Sequence, residues 1–186
     1  KGPGEAGSGQ FQKSLQLAHY HRCTINRVPY SQNGRVHEDW APKVDAKGRV
    51  TDWGPFDRGL GGLLDGSLFA ENPRAGVPVR TLYLPFSEGW PLDFKKHYSP
   101  GPNVPSAART AEDQMRHFAL ARPIGEAMSA EYQQAWMECV REFCAHARSK
   151  GWNRTLFECY LNNKPQYGYT LWTLDEPNVY RDWEAL

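Results

Sequence analysis

Two adjacent carboxylates near the end of the chain, Asp175-Glu176, stand directly before Pro177. The proline biases Glu176 out of the α region toward extended geometry. The two side chains then project in different directions from neighbouring backbone positions. Nearby carboxylates raise each other's cost of ionisation, so one can keep its proton near neutrality. Glycoside cleavage uses that division. One group donates a proton to the leaving oxygen, and a second stabilises developing positive charge. The same residues also read as a helix start. Asp175 or Asn178 would cap a helix over 179–186, with Pro177 in its first turn and Asp182 and Glu184 toward solvent. At the level of sequence both readings stand.

A second constellation is Tyr160-Leu161-Asn162-Asn163-Lys164-Pro165, at the end of an apolar run. Asparagine offers a donor and an acceptor, and lysine three donors. Such groups suit sugar hydroxyls and carbonyls, although Asn and Pro are equally ordinary strand-end turn residues. A third is shared between Asn26-Arg27-Val28-Pro29-Tyr30 and Phe86-Ser87-Glu88-Gly89-Trp90-Pro91. There Tyr30 and Trp90 supply ring faces, while Asn26, Arg27 and Glu88 supply polar contacts, a mixture that fits carbohydrate. The alternative is that Tyr30 and Trp90 pin long loops to the domain, with Glu88 in solvent.

His19 and His21 lie near a helix end and read as structural. His37, His97 and His117 form no i, i+4 pair and no H-E-x-x-H. The four cysteines, Cys23, Cys139, Cys144 and Cys159, show no C-x-x-C or zinc spacing. No metal is expected, and the cysteines are expected to be buried free thiols. Asn153-Arg154-Thr155 matches the glycosylation sequon, which matters only in a eukaryotic secretory context.

Elements must position these groups. The spacing of Phe11, Leu15, Leu17, Ala18 and His21 predicts a short helix ending near Tyr20. A short strand is expected over Cys23–Tyr30, then a long polar loop over Ser31–Asp52 with turns at Asn33-Gly34 and Lys47-Gly48. Trp53, Phe56, Leu60, Leu63 and Leu64 predict a helix over Trp53–Phe69, weakened by Gly59, Gly61 and Gly62. Val79–Phe86 reads as a buried strand and Ser87–Ser106 as a loop. Tyr132, Trp136, Val140, Phe143 and Ala147 form one stripe of a helix over Ser129–Lys150. Ser129 is its N-cap, Arg148 and Lys150 suit its negative end, and Gly151 follows as C′. A third strand spans Thr155–Leu161, and a last strand or extended turn spans Tyr169–Leu174.

Helices alternate with strands at long spacing, which predicts an α/β fold with parallel pairing through crossover helices. Long loops follow the strands, and the helix-to-strand joint at Gly151–Arg154 is short. That asymmetry suits a (β/α)8 TIM-barrel, whose site is built from the loops after the strands. A barrel needs about 250 residues, so these 186 would supply about three βα units. A small open sheet is the alternative. It would show more even loops and often a glycine-rich phosphate turn, and no G-x-G-x-x-G or Walker sequence occurs. The expected organisation is a flexible segment over 1–10 and a partial barrel over 11–186, truncated at both ends, whose partner is the remainder of the same polypeptide. Parallel strand edges left open would make such a piece prone to aggregation.

Composition excludes several classes. Hydrophobic residues at 40% and charged residues at 23% lie near the globular norm. A formal net charge of +1 leaves no overall electrostatic footprint for nucleic acid, and no apolar run reaches the length of a membrane span. Aromatic content is high, with 7 Trp, 9 Tyr and 8 Phe, many of them beside Gly, Pro and Asn.

Taken in order, His21-Arg22, Trp53-Gly54-Pro55-Phe56-Asp57, Leu64-Asp65-Gly66-Ser67-Leu68-Phe69, Leu84-Pro85 through Trp90-Pro91, Tyr160–Lys164, and Leu174–Pro177 with Asp182-Trp183 resemble one bacterial group. That group is the glycoside hydrolase-like barrels of domain of unknown function 4091, related to glycoside hydrolase family 123. The resemblance implies hydrolysis of β-linked N-acetylgalactosamine with no protein nucleophile, metal or organic cofactor. Asp175 would orient the substrate's acetamide, whose oxygen attacks the anomeric carbon, and Glu176 would protonate the leaving oxygen and then activate water. The chain departs from the pattern in one respect. Asn162-Asn163-Lys164 occupies the strand end, so a hairpin must return Asp175-Glu176 to the site. The leading expectation is thus a retaining, substrate-assisted β-N-acetylhexosaminidase acting on a glycan, secreted or periplasmic if it degrades one. The alternatives are a non-catalytic carbohydrate-binding barrel using Tyr30, Trp90, Asn162 and Asn163, and a structural interaction domain.

Overall fold

The computed structural model describes residues 9–25, 38–85, 90–99, 101–102, 112, 120 and 122–159. In chain order these form α1 (Gly9–Tyr20), β1 (Lys43–Val44), β2 (Val50–Asp52), α2 (Gly54–Leu64), a 3-10 turn (Ser67–Phe69), β3 (Thr81–Tyr83), the short helices α3 (Phe94–His97) and α4 (Ile124–Ala127), α5 (Ala130–Ser149) and β4 (Leu156–Glu158). The expected strand over Cys23–Tyr30 is absent from its described part, Cys23–Ile25. The rest of it, and the extended segment Tyr169–Leu174, lie outside the described residues.

Local chemistry accounts for the helix ends. Ser129 is extended, and its hydroxyl accepts the Tyr132 N–H at the start of α5, satisfying one of the four donors that a helix N-terminus leaves open. At the other end the Trp152 N–H donates to Ala147 O and the Gly151 N–H to Arg148 O, with Gly151 at φ 72°. That is a Schellman stop with glycine in the left-handed position. The end of α1 repeats it. Cys23 N–H donates to Ala18 O and Arg22 N–H to His19 O, but the left-handed residue is Arg22, at φ 60°. Holding a side chain other than glycine there costs about 1 kcal/mol.

Helix α2 carries four glycines, Gly54, Gly59, Gly61 and Gly62, and contact with a neighbouring backbone explains Gly59. A Cβ on Gly59 would lie 2.5 Å from the Asp39 carbonyl oxygen and 2.8 Å from Trp40 Cδ1. The Asp39–Trp40 backbone crosses α2 at that point, and only glycine leaves room. The helix expected to reach Phe69 instead stops at Leu64. Gly66, at φ 81°, turns the chain into the 3-10 segment.

The segment expected to be a continuous loop over Ser31–Asp52 contains a hairpin. β1 and β2 pair antiparallel, closed by the carboxylate of Asp45, which accepts the N–H groups of Lys47 and Arg49. The Lys47-Gly48 turn is where the sequence places it. Strands of two and three residues carry no readable alternation, which is why periodicity passes over them. The hairpin rests on α5. The Val50 N–H donates to Glu142 Oε2 at 3.1 Å, and the Cβ position of Gly48 is 3.1 Å from Ala135 Cβ.

That contact shifts the buried line of α5. Its centre runs through Tyr132, Ala135, Cys139, Phe143 and Ala147, while Trp136 and Val140 flank it, partly buried. The small Ala135 admits the hairpin at Gly48, which a larger side chain would hold off. The core gathers α1, α2, β3 and α5 around Leu15, Phe56, Leu60, Leu64, Phe69, Leu82, Phe143 and Trp152. Each such side chain contributes about 1.5–3 kcal/mol when fully buried. Phe56 is at the centre, edge-on to Phe143 with centroids 5.9 Å apart.

β3 and β4 pair in parallel, Thr81 with Leu156, Leu82 with Phe157 and Tyr83 with Glu158, and α5 lies between them in the chain. This β–α–β connection is the α/β organisation that the alternation predicts. Among the described residues no helix is long and apolar enough to cross a membrane.

Candidate functional site at the carboxyl edge of the parallel strands

In a parallel sheet ligand contacts gather beyond the carboxyl ends of the strands. That edge is defined here by Tyr83 and Glu158, which face each other in register. The ladder extends one step further, with the Leu84 N–H donating to Glu158 O at 2.8 Å. The chain therefore leaves both strands at one edge. After β3 it continues into the segment with Glu88 and Trp90, and after β4 into the segment with Tyr160, Asn162, Asn163 and Lys164.

Of the residues selected from the sequence, Trp90 is described. It is 9% exposed and belongs to the main core cluster. A ring so enclosed anchors its loop and offers no open face to a sugar. Asn26, Arg27, Tyr30, Glu88, Tyr160, Asn162, Asn163, Lys164, Asp175 and Glu176 lie outside the described residues.

Tyr83 also lines a cleft of about 110 Å³ between α1, α2 and β3, walled by Phe11, Leu15, Trp40, Leu60 and Leu68, with Arg58 at its polar side. That is well below the roughly 300–1,000 Å³ of small-molecule pockets. Among the described residues no three His, Cys, Asp or Glu side chains converge as a metal site.

Sequence reasoning missed one polar cluster. His146 Nε2 and Asp57 Oδ1 are 2.7 Å apart, and Lys150 Nζ is 2.7 Å from Asp57 Oδ2. The imidazole stacks on Trp53 with centroids 4.3 Å apart and planes 8° from parallel, and Trp152 meets it edge-on at 5.5 Å. Asp57 lies in the first turn of α2, while His146 and Lys150 lie at the end of α5. Each charge sits where its helix dipole favours it. Held by Asp57 and in contact with the rings of Trp53 and Trp152, His146 joins two helices. The arrangement accounts for all of Trp53-Gly54-Pro55-Phe56-Asp57. Trp53 stacks, Gly54 donates its N–H to Asp52 at 2.7 Å, Pro55 opens the helix, Phe56 fills the core and Asp57 makes the bridge. That Gly54 N–H, together with Lys43 at 3.2 Å, holds the Asp52 carboxyl below the usual carboxylate range.

Cysteine placement departs from expectation. Only Cys139 is buried, its thiol pushed up to about 12 by desolvation, whereas Cys23, Cys144 and Cys159 are exposed. Cys144 is five residues beyond Cys139 and faces away from the core, as helical geometry requires.

No family model matches this chain, and neither a curated protein nor a solved structure matches it.

Proposed function

We propose that the chain is part of a glycosidase-like (β/α)8 barrel that acts on β-linked N-acetylhexosaminides, with Asp175 and Glu176 as its acid pair. The observation that supports this most is the parallel β3–β4 pair connected through α5. It sends the two segments richest in sugar-compatible groups from one strand edge. Neighbouring strands that share a carboxyl edge are what a barrel active site requires. In this reading Glu176 donates a proton to the glycosidic oxygen as the substrate's acetamido oxygen attacks the anomeric carbon. Asp175 orients the acetamide, and Glu176 then takes a proton from the water that opens the cyclised intermediate. The ordered motif set that resembles the family 123 relatives points the same way.

The test is turnover of an aryl β-N-acetylhexosaminide by wild type and by Glu176→Gln. Loss of general acid–base assistance should lower turnover by about 10²–10⁴-fold. Wild-type turnover in the variant would end the proposal. Glycan binding without turnover, unaffected by Asp175→Asn and Glu176→Gln, would instead indicate a binding domain.

A further inference from the structure

The opposite, amino edge of the β3–β4 pair holds a cleft of about 390 Å³. Four arginines line it: Arg22 from the end of α1, Arg74 and Arg80 from the segment before β3, and Arg154 from the segment before β4. Among the described residues that line it there is no aspartate or glutamate. For a chain whose formal net charge is +1, four arginines lining one cavity are a marked local excess of basic residues.

The backbone holds these arginines in place. Arg80 and Arg154 flank the sheet, and the Arg80 carbonyl accepts the Leu156 N–H at 2.8 Å. Thr155, next to Arg154, is buried and donates its hydroxyl to Val79 O at 2.7 Å. Arg74 Nη2 donates to the carbonyl of His19 at 2.8 Å. Its Nε is buried and lacks a hydrogen-bond acceptor, the one such side-chain nitrogen or oxygen among the described residues. His19 forms a fixed wall, stacked on Phe69 at 3.8 Å and bonded to Val77 O and Asn72.

Arg22 adds an independent observation. The same helix stop ends α1 and α5, and at α5 the left-handed position is glycine. At α1 it is an arginine on the rim of this cleft. Helix termination alone is met better by glycine. The guanidinium is what the position gains from departing from it.

We propose that this cleft binds a small molecule carrying a phosphate group, held by Arg22, Arg74, Arg80 and Arg154. Guanidinium groups match phosphate oxygens in paired, planar hydrogen bonds. The volume lies in the small-molecule range and leaves room for an organic group beside the phosphate. The site is at the far edge of the sheet from the proposed glycan site and stands or falls separately from it.

Calorimetric titration with glycerol 3-phosphate and with inorganic phosphate tests the proposal, with glycerol as control. Glycerol 3-phosphate should bind with a Kd below about 1 mM at low salt, and more weakly as salt is raised. Equal affinity for inorganic phosphate would identify the free anion as the ligand. Tighter binding of the ester would identify a phosphate monoester. Arg22→Gly should weaken binding about tenfold, the loss of roughly one charged contact, while leaving the melting temperature unchanged or raised. Arg154→Gln should also weaken it. No saturable binding by either probe would overturn the proposal. So would binding that survives both substitutions, or an Arg22→Gly variant that loses stability and keeps its affinity.

Discussion

Replacing Gly59 and Gly61 by alanine, one at a time, sets two effects against each other on the same helix. In a helix interior alanine is favoured over glycine by about 0.8–1.0 kcal/mol, and this gain applies to both positions. At Gly61 the new methyl would meet Trp152 Cζ2 at 3.6 Å, an ordinary contact. The added burial contributes up to about 0.8 kcal/mol more, so Gly61→Ala should stabilise by about 1–1.5 kcal/mol. At Gly59 the methyl would stand 2.5 Å from the Asp39 carbonyl oxygen and 2.8 Å from Trp40 Cδ1. Forced repacking of this kind costs about 1–3 kcal/mol. It cancels or exceeds the propensity gain, because Trp40 is 4% exposed and has little room to withdraw. The two variants should therefore differ by about 2–3 kcal/mol, or roughly 5–10 °C in Tm for a chain of this length. Urea unfolding followed by tryptophan fluorescence, with thermal melts alongside, reads the difference. A Gly59→Ala protein as stable as Gly61→Ala would show that the Asp39–Trp40 segment does not cross α2 where the structure has it.

Other outcomes follow from single contacts. Asp57→Asn removes the charge shared by His146 and Lys150 and should lower stability by about 1–2 kcal/mol in urea unfolding. Asp57 is partly exposed and Lys150 more so, which keeps the loss below that of a buried pair. Burial holds the His19 imidazole below the ordinary histidine value of 6.5, assisted by the Arg74 guanidinium and opposed by the hydrogen bond to Val77 O. The native state thus favours the neutral ring. Its contribution is complete above pH 6.5 and is lost as pH falls through the lowered native value. Unfolding midpoints measured downward from pH 8 should decline from about pH 6.5, and the decline should be shallower in His19→Gln. A thiol reagent near pH 8 should label Cys23 and Cys144 in the native protein. Cys159, raised by desolvation, should react more slowly, and Cys139 only on unfolding. Native labelling of Cys139 would contradict its burial.

Helix α5 was legible because its signals are local and agree. Ser129, the apolar repeat from Tyr132 to Ala147 and Gly151 each act within a few residues; cap and stop appear where the spacing puts them, and the stripe is displaced only at its middle, from Trp136 and Val140 to Ala135 and Cys139. β3 and β4 were legible as apolar runs, though as short cores of the longer strands expected. The β1–β2 hairpin was not, since its strands are shorter than one readable alternation. The candidate glycan residues were chosen by chemical type and by position after strands. Trp90 shows how that fails. An aromatic residue beside glycine and proline satisfies the same pattern whether its ring lies in a core or on a surface, and here it lies in the core.

The sequence by itself determined where α5 begins and ends, which residue types can serve a sugar, and an alternation that calls for parallel strands. Tertiary structure decided which distant groups meet. Asp57 reaches His146 across 89 positions, and Thr155 reaches Val79 across 76. The four arginines of the amino-edge cleft come from three separate stretches of chain. Periodicity and capping act over a few residues, whereas such meetings are set by how helices pack on a sheet. No pattern along the chain encodes them until the core has formed.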